Sequence, residues 1–138
     1  MITTTHSLRV RYAETDAMNY VYYGNYATYF EVGRVELFRE LGMSYSEIEK
    51  RGILLPVSEY KIKYLKPAFY DELLEIKTSI KKKPGVKIEF EYEIFNSKKE
   101  KITTASTTLF FLDEKSQKII RCPDFLMKLI DEKWTTSD

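Results

Sequence analysis

The sequence predicts an α+β fold in which one long helix packs on one antiparallel sheet. In residues 26–42 the apolar side chains recur at intervals of three and four, which is the spacing of one buried helix face. Four later segments alternate apolar and polar side chains, as half-buried strands do. A chain of 138 residues is expected to form a single domain, residues 1–138, and such a domain buries roughly two-thirds of its unfolded surface.

The first predicted elements are a strand at residues 7–12, where SLRVRY alternates in polarity, and the long helix. The apolar face of the helix consists of Tyr26, Tyr29, Phe30, Gly33, Leu37, Phe38 and Leu41. Asn25 is expected to cap the start of the helix, and Gly42 to end it. Gly33 costs roughly 1 kcal/mol relative to alanine inside a helix, so we expect the backbone to approach a packing partner closely there.

The remaining elements are strands joined by turns, with a short helix at each end of the series. MSYSEIEKRG, residues 43–52, reads as a short turn or helix, and strands are predicted at 57–66, 72–81, 86–95 and 102–112. Consecutive strands with short connections pair antiparallel, so we expect a meander of these four. With residues 7–12 they make a sheet of about five strands. A short C-terminal helix is predicted at 123–131, after Pro123.

The last predicted strand is apolar on both faces. Leu109 and Phe111 alternate with Phe110 and Leu112, and one helix covers only one face of a sheet. A second subunit is the simplest cover for the other face. We therefore expect a homo-oligomer.

Composition excludes several classes of function. Lys and Arg total 22 against 21 Asp and Glu, a net charge of +1, so a basic nucleic-acid-binding surface is not indicated. There is no apolar run near the roughly 20 residues of a membrane span. The N-terminus, MITTTHSLRVRY, lacks the apolar stretch of a signal peptide. A cytoplasmic protein is predicted, with no nucleic-acid partner and no membrane span.

The residue counts also restrict the chemistry. His6 is the only histidine and Cys122 the only cysteine, so a Ser-His-Asp or Cys-His site is not favoured. Metal sites need several His, Cys or clustered carboxylates, and no such spacing occurs. No Gly-rich phosphate loop is present. We expect no metal and no cofactor, and catalysis by carboxylates, hydroxyls or backbone dipoles.

Asp16, in the segment ETDAMN before the helix, is the strongest candidate for such chemistry. An aspartate in a loop is most often a turn or cap residue. A carboxylate of ordinary pKa, about 3.9, is ionised at neutral pH, so it can attack a carbonyl carbon or deprotonate a water. The free N–H groups at the helix start carry partial positive charge and could stabilise an oxyanion.

The segment YAETDAMNYVYYGNYATYFEVGR resembles the signature of hotdog-fold acyl-CoA thioesterases of the 4-hydroxybenzoyl-CoA thioesterase type. The matching positions are Thr15, Asp16, Val21, Tyr22, Asn25, Tyr26, Phe30, Glu31 and Arg34. A second segment, LPVSEYKIKYLKPAFYDELLEI at 55–76, resembles the strand around that family's Tyr-Leu-x-Pro-Ala sequence. Two positions depart from the pattern. Asn19 replaces a common glycine and tolerates the same left-handed turn, and Tyr23 replaces a common histidine.

The resemblance implies a hotdog fold, one long central helix wrapped by the sheet, and hydrolysis of an acyl-CoA by Asp16 without a cofactor. It implies that the N–H of Tyr23 faces the thioester oxygen, and the N–H of Gly24 is a second candidate. Asn25 and Tyr22 are further candidate oxyanion or substrate contacts; alternatively Asn25 caps the helix and blocks part of the site, and Tyr22 is core or interface. Dimers or tetramers with interfacial active sites are implied. The tyrosines would accommodate a short, medium-chain or aromatic acyl group, and the sequence does not distinguish coenzyme A from acyl carrier protein as its carrier.

Other interpretations remain open at this point. A hotdog hydratase or dehydratase would need a histidine beside a carboxylate, and only His6 is available. A binding module without activity would retain the pocket but gains little from Asp16. Glu31 is either a second catalytic carboxylate or the partner of Arg34, three residues along the same helix, in an ion pair. Lys81, Lys82 and Lys83 are either a solvated turn or a contact for coenzyme A phosphates.

Overall fold

The computed structural model describes residues 1–136. The strands are β1 (Ile2–Arg9), β2 (Ile53–Leu54), β3 (Val57–Tyr64), β4 (Leu73–Ile80), β5 (Lys87–Phe95), β6 (Lys101–Asp113) and β7 (Lys118–Ile120). The α-helices are α1 (Tyr26–Leu41), α2 (Tyr45–Lys50) and α3 (Asp124–Lys133), and short 3-10 turns occur at Tyr12–Glu14 and Tyr23–Asn25. The predicted α+β class, with one long helix and about five long strands, is confirmed.

All strand pairs in the sheet are antiparallel, and the five long strands lie in the order β1-β4-β5-β6-β3. The short strands β2 and β7 flank the C-terminal end of β6. The expected meander is therefore correct for β4, β5 and β6 but wrong for β3. β3 pairs with β6. Residues 65–72 then carry the chain to the opposite side of the sheet, where β4 pairs with β1.

Helix α1 begins and ends close to the predicted residues. Gly42 has φ of 100°, and its N–H donates to Arg39 O at 3.0 Å while the N–H of Met43 donates to Phe38 O at 3.0 Å. Such a left-handed residue after the last turn closes a helix. The predicted stop is confirmed. The prediction that Asn25 caps the N-terminus of α1 is wrong, because its side chain makes no capping hydrogen bond.

The apolar face of α1 packs on the concave side of the sheet at a very short distance. The face is buried at each of its predicted positions: Tyr26, Tyr29, Phe30, Gly33, Leu37, Phe38 and Leu41. A Cβ atom at Gly33 would lie 2.4 Å from Thr78 Oγ1 and 3.3 Å from Ile76 Cγ2. Gly33 thus lets the helix backbone rest against β4, which is the close approach expected from the sequence.

Strand β3 is an edge strand whose side chains are exposed or half-buried along its whole length. Tyr60, Ile62 and Tyr64 share one face, as predicted, and the tyrosines contact α1: the Tyr60 ring lies 6.1 Å from that of Phe30, and the Tyr64 ring 5.1 Å from that of Tyr26. Val57 is 50% exposed and Tyr64 45%. An exposed apolar edge strand of this kind can pair with a strand of another chain.

The second apolar face of β6 is only partly covered within the chain. Phe110 and Leu112 are half-buried, and Leu112 is flanked by Leu54 of β2 and Ile119 of β7. The sequence did not reveal these two short strands. No helix among residues 1–136 is both long and apolar enough to cross a membrane.

Gly33→Ala is expected to lower the free energy of unfolding by about 1–2 kcal/mol. Overpacking of a core costs about 1–3 kcal/mol, and the better helix propensity of alanine returns up to about 1 kcal/mol. Urea denaturation of the purified variant measures the difference.

The matched test is the double variant Gly33→Ala/Thr78→Ala. Thr78 Oγ1 is buried and has no hydrogen-bond partner within the described residues, so removal of the hydroxyl costs little. We expect the double variant to be more stable than the sum of the single effects predicts. Additive effects, or a Gly33→Ala protein as stable as the original, would contradict the close approach.

Candidate active site

An open groove of about 310 Å³ lies where the loop before α1 meets the segment after β3. Its lining residues are Asp16, Met18, Tyr20, Val21, Tyr23, Tyr26, Tyr64, Leu65, Lys66 and Pro67. Asp16 is the one carboxylate among these residues, and four of them are tyrosines. The groove therefore combines a single negative charge with an aromatic wall, which is the mixture of few polar groups and many apolar ones found in small-molecule sites.

Asp16 lies in a tight turn that holds one of its carboxylate oxygens. Its Oδ1 accepts the N–H of Met18 at 2.9 Å and, more weakly, that of Tyr20 at 3.4 Å. The turn is closed by the N–H of Asn19, which donates to Asp16 O at 2.9 Å. The predicted turn role of Asp16 is confirmed through one oxygen, and its half-buried carboxylate also lines the groove; its catalytic role stays a prediction.

The 3-10 turn Tyr23–Asn25 leads directly into α1. The first helical hydrogen bond in this region runs from the N–H of Asn25 to Tyr22 O at 2.9 Å. The N–H groups of Tyr23 and Gly24 precede this bond, and the first N–H groups of a helix have no partner within it. The two predicted N–H donors are thus at the start of helical structure, with Tyr23 in the groove.

Asn25 does not act as the expected helix cap. Its φ and ψ of −83° and −13° are already helical, and its side chain makes no capping hydrogen bond. The Nδ2 group donates instead to Glu14 O at 2.9 Å. Because helical structure begins earlier, at Tyr23, the side chain of Asn25 points back to the preceding loop and leaves the first N–H groups uncovered. Asn25 is not among the residues that line the groove.

Tyr22 and Tyr23 form an exposed aromatic pair next to Gly24. Their ring centroids are 4.6 Å apart, and Tyr22 is 45% and Tyr23 65% exposed. A Cβ at Gly24 would lie 2.8 Å from Cε2 of Tyr22. The glycine thus makes room for the Tyr22 ring. Tyr22 does not line the groove.

Glu14 is the residue of this region that the sequence analysis missed. It is 8% exposed, and its Oε1 accepts the N–H of Arg11 at 2.7 Å and the hydroxyl of Tyr29 at 2.9 Å. Its Oε2 accepts from the Arg11 guanidinium at 3.0 and 3.1 Å. Its backbone oxygen accepts the N–H of Tyr22 at 2.8 Å, in addition to the amide of Asn25. A glutamate in a loop gives no sequence signal of such a role.

The contacts of Glu14 shift the pKa values of its own carboxyl and of the Tyr29 hydroxyl. Burial by itself raises the pKa of the Glu14 carboxyl, but hydrogen bonds from the Arg11 backbone, the Tyr29 hydroxyl and the Arg11 side chain lower it below its ordinary value. Burial and the hydrogen bond to Glu14 both raise the pKa of Tyr29. At neutral pH the pair is therefore a carboxylate that accepts from a protonated phenol.

The segment after β3 forms the opposite wall of the groove. The hydroxyl of Tyr64 donates to Tyr23 O at 3.1 Å, and this bond joins the strand to the turn that precedes α1. Lys66 forms an ion pair with Glu100. The segment YLKPA was recognised in the sequence, but no site residue was assigned to it. Only the crossing of the chain after β3 brings it to Asp16.

Other candidate residues lie outside the groove. His6 is in the middle of β1, paired with Ile76 of β4, and Glu31 is exposed on α1. Arg34 does not form an ion pair with Glu31, which was one of the two alternatives for Glu31. Arg34 is 7% exposed and donates to the hydroxyls of Tyr92 at 3.0 Å and Tyr45 at 3.3 Å, because its position on the helix points toward β5 and α2.

No group of three or more His, Cys, Asp or Glu side chains that could hold a metal ion occurs in residues 1–136. Burial raises the pKa of the half-buried Cys122 thiol to about 12. The lysines of residues 81–83 are exposed, and two of them form ion pairs, Lys81 with Glu91 at 3.4 Å and Lys83 with Asp131 at 2.9 Å.

Comparison of the sequence with known proteins finds similarity to thioesterases. The profile of the thioesterase-like superfamily matches residues 10–130. A Bacillus subtilis protein, YneP, is 39% identical over 121 residues, which are 88% of each chain, and carries the provisional name acyl-CoA thioesterase.

The structural comparisons agree. The crystal structure of a DHNA-CoA thioesterase from Staphylococcus aureus is 40% identical and superposes with a TM-score of 0.89, covering 96% of this chain and 91% of that one. A 4-hydroxybenzoyl CoA thioesterase bound to 4-hydroxybenzoyl CoA shares the fold at 18% identity, with a TM-score of 0.82 over 92% and 97% of the two chains. The hotdog fold implied by the resemblance is confirmed.

Asn19 allows a direct test of the turn that carries Asp16. Its φ is 64°, so the left-handed conformation expected from the sequence is confirmed. Asn19→Gly is expected to keep the melting temperature and kcat close to the original values, because glycine adopts this conformation freely. Thermal unfolding and a thioesterase assay measure both.

Asn19→Val is the matched contrast. A left-handed conformation costs a residue with a Cβ roughly 1–2 kcal/mol, and a β-branched residue tolerates it least, so both stability and kcat should fall. A large loss in Asn19→Gly would show that the asparagine side chain itself is needed.

Proposed function

The chain belongs to the thioesterase-like superfamily, and we propose that it hydrolyses the thioester of a short-chain, medium-chain or aromatic acyl-CoA with Asp16 as the catalytic carboxylate. Relatives named as acyl-CoA thioesterases cover nearly the whole chain, and the chain is a thioester hydrolase. The role of Asp16, the contacts of the substrate and the identity of the acyl group are our proposals.

The observation that carries the proposal is the joint placement of Asp16 and Tyr23 in one groove. Oδ1 of Asp16 is held by backbone N–H groups, which fixes the orientation of the carboxylate and leaves Oδ2 for the substrate. A thioester carbonyl bound between the two residues would meet a negative oxygen on one side and the first N–H groups of helical structure on the other.

In this proposal Asp16 and the first N–H groups of the helix would supply the nucleophile or base and the oxyanion donor that thioester hydrolysis needs. Asp16 either attacks the carbonyl carbon, forming an acyl anhydride that water then hydrolyses, or removes a proton from an attacking water. In both cases negative charge develops on the thioester oxygen, where the N–H of Tyr23, and of Gly24 beside it, would donate. One such donor is worth about 3–4 kcal/mol of barrier. The thiolate of coenzyme A leaves readily, so a strong general acid is not required.

A hydratase or dehydratase would need a histidine in the groove, and none of the residues that line the groove is a histidine. That chemistry pairs a histidine with a carboxylate, and His6, the only histidine of the chain, lies in β1 and does not line the groove. A binding module without activity is also disfavoured, because the relatives are named as hydrolases. We keep hydrolysis as the function.

The lining of the groove favours a compact acyl group. Tyr20, Tyr23, Tyr26 and Tyr64 present aromatic rings to a volume of about 310 Å³, and aromatic rings pack well edge-to-face with an aromatic acyl group. The carrier we propose is coenzyme A, which the names of the Bacillus subtilis and Staphylococcus aureus relatives specify, with acyl carrier protein as the alternative. An assay of acyl-CoA substrates from acetyl to palmitoyl, with benzoyl-CoA, would identify the acyl group.

We also propose a homodimer in which the edges of two β3 strands pair, with the dimers able to form tetramers. Among the described residues, β6 is the only strand that pairs with β3, and exposed Val57 and Tyr60 belong to this edge strand. Tyr64 ends the same strand and lines the groove, so the site would lie at the subunit interface. We propose that residues 1–138 act as one domain; a cytoplasmic location stays a prediction.

Asp16→Asn is expected to lower kcat at least about a hundredfold on the best acyl-CoA. The change preserves shape but removes the charge that nucleophilic attack and proton abstraction both require, and general-base assistance alone contributes roughly 10²–10⁴-fold. The dissociation constant of a non-hydrolysable thioether analogue should change little, because the groove is unaltered. Release of coenzyme A, followed with a thiol reagent, gives kcat.

Glu31→Gln is the matched control, since Glu31 is an exposed carboxylate outside the groove. It should retain the original kcat. If Asp16→Asn retains most of its activity, Asp16 is not the catalytic group. If Glu31→Gln is the inactive variant, the alternative carboxylate is the correct one.

The oligomeric state is tested by light scattering at micromolar concentration. We expect a mass two or four times the 16.4 kDa of the chain. Val57→Glu, which places a charge at an exposed position of β3, should shift the population toward monomer and reduce activity with it. A mass of one chain for the unaltered protein would refute the proposed interface.

A further inference from the structure

We propose that Glu14 is a positioning residue that sets the geometry of the active site by fastening the turn Tyr22–Asn25 to the loop that carries Asp16. This inference rests on the proposed function, in which Asp16 and the N–H groups of Tyr23 and Gly24 act on the same thioester. Glu14 itself does not line the groove and does not touch the substrate.

The backbone oxygen of Glu14 holds both ends of the turn. It accepts the N–H of Tyr22 at 2.8 Å and the side-chain amide of Asn25 at 2.9 Å. Tyr23 and Gly24 lie between these two attachment points. The direction of their N–H groups therefore depends on the position of one carbonyl oxygen.

The side chain of Glu14 holds that carbonyl in place. Its carboxylate accepts from the backbone and guanidinium of Arg11, where the chain leaves β1, and from the hydroxyl of Tyr29 on α1. Tyr29 is 2% exposed, so its hydroxyl cannot turn to bulk water. Glu14 is thereby fixed between the end of a strand and the second turn of the helix.

Asp16 follows Glu14 by two residues, so the same anchor acts on the catalytic carboxylate. The next contacts along the chain, from the N–H of Asp16 to Tyr20 O and from the N–H of Val21 to Ala68 O, both at 2.9 Å, complete the loop. The separation of the carboxylate from the N–H donors is thus set through one residue. A displacement of about 1 Å in such a pair can cost a hundredfold in rate.

The experiment compares two variants that weaken the anchor without emptying the core. Tyr29→Phe removes one hydroxyl and retains the ring, and Glu14→Gln retains the shape and one acceptor but loses the charge. We expect kcat to fall roughly 10- to 100-fold in each, with KM within about twofold, because the groove and its contacts with substrate remain. In Glu14→Ala the kcat should fall further, so that glutamine at this position retains part of the activity that alanine loses.

Glu93→Gln is the matched control. Glu93 is also a carboxylate paired with cations, Lys101 and Lys77, which hold its pKa below the ordinary value, but it lies on the outer face of the sheet. Its loss should leave kcat unchanged. A fall in kcat equal to that of Glu14→Gln would mean that general destabilisation causes both effects, and would overturn the proposal.

Amide hydrogen exchange gives a readout that does not depend on activity. In Tyr29→Phe and Glu14→Gln the N–H of Tyr22 should exchange at least about tenfold faster, while the N–H of Val21, bonded to Ala68 and not to Glu14, should not change. This internal comparison separates a loosened turn from a loosened protein.

The outcomes separate the two proposals. If the unaltered protein hydrolyses no acyl-CoA, the proposed function is refuted. The amide hydrogen exchange of Tyr22 still tests whether Glu14 holds the turn Tyr22–Asn25 in place. If the protein is active and both variants keep the original kcat, or raise KM with kcat unchanged, Glu14 is not a positioning residue. Unchanged exchange at Tyr22 in both variants would refute it as well.

Discussion

The contact of the α1 backbone with β4 at Gly33 is the constraint on which the rest of the structure depends. A helix seated this close to the sheet presses its aromatic side chains directly onto the strands, and the ring of Phe30 lies 4.5 Å from that of Tyr92 on β5. Any side chain at position 33 would meet Thr78 and lift the helix. Because α1 is held at this depth, its first turn reaches the rim of the sheet, where the groove opens.

Two carboxylates at the start of the helix have opposite surroundings. Glu14 is buried and both of its oxygens accept hydrogen bonds from Arg11 or Tyr29, so its charge is satisfied within the protein. Asp16 is half-buried and its turn occupies only one oxygen. A carboxylate already surrounded by donors is a structural anchor, whereas one with an open oxygen in a groove is available for chemistry. Only two positions of the sequence separate these contrasting surroundings.

Strand β3 joins the site to the surface of the molecule. It packs its tyrosines against α1 on one side, yet one of its edges carries no strand within the described residues. The same strand ends at Tyr64, whose hydroxyl binds the backbone of Tyr23. An event at the edge, such as pairing with a second copy, would therefore act directly on the wall of the groove and on the turn that begins the helix. Assembly and activity would be coupled through this strand.

The sequence alone determined the class of fold, the bounds of α1 and most strands, the left-handed turn at Asn19 and the candidate Asp16. These features depend on local periodicity and on the conformations that single residues tolerate, which short stretches of sequence contain. Only the tertiary structure decided that β3 pairs with β6, since residues 65–72 cross to another strand and pairing partners have no local signal. It also decided that Asn25 binds Glu14 instead of capping the helix, that Arg34 is buried against tyrosines, and that Glu14 connects a strand, a turn and a helix. Each of these contacts joins segments whose spacing in the chain does not reveal their distance in space, so only the folded chain brings them together.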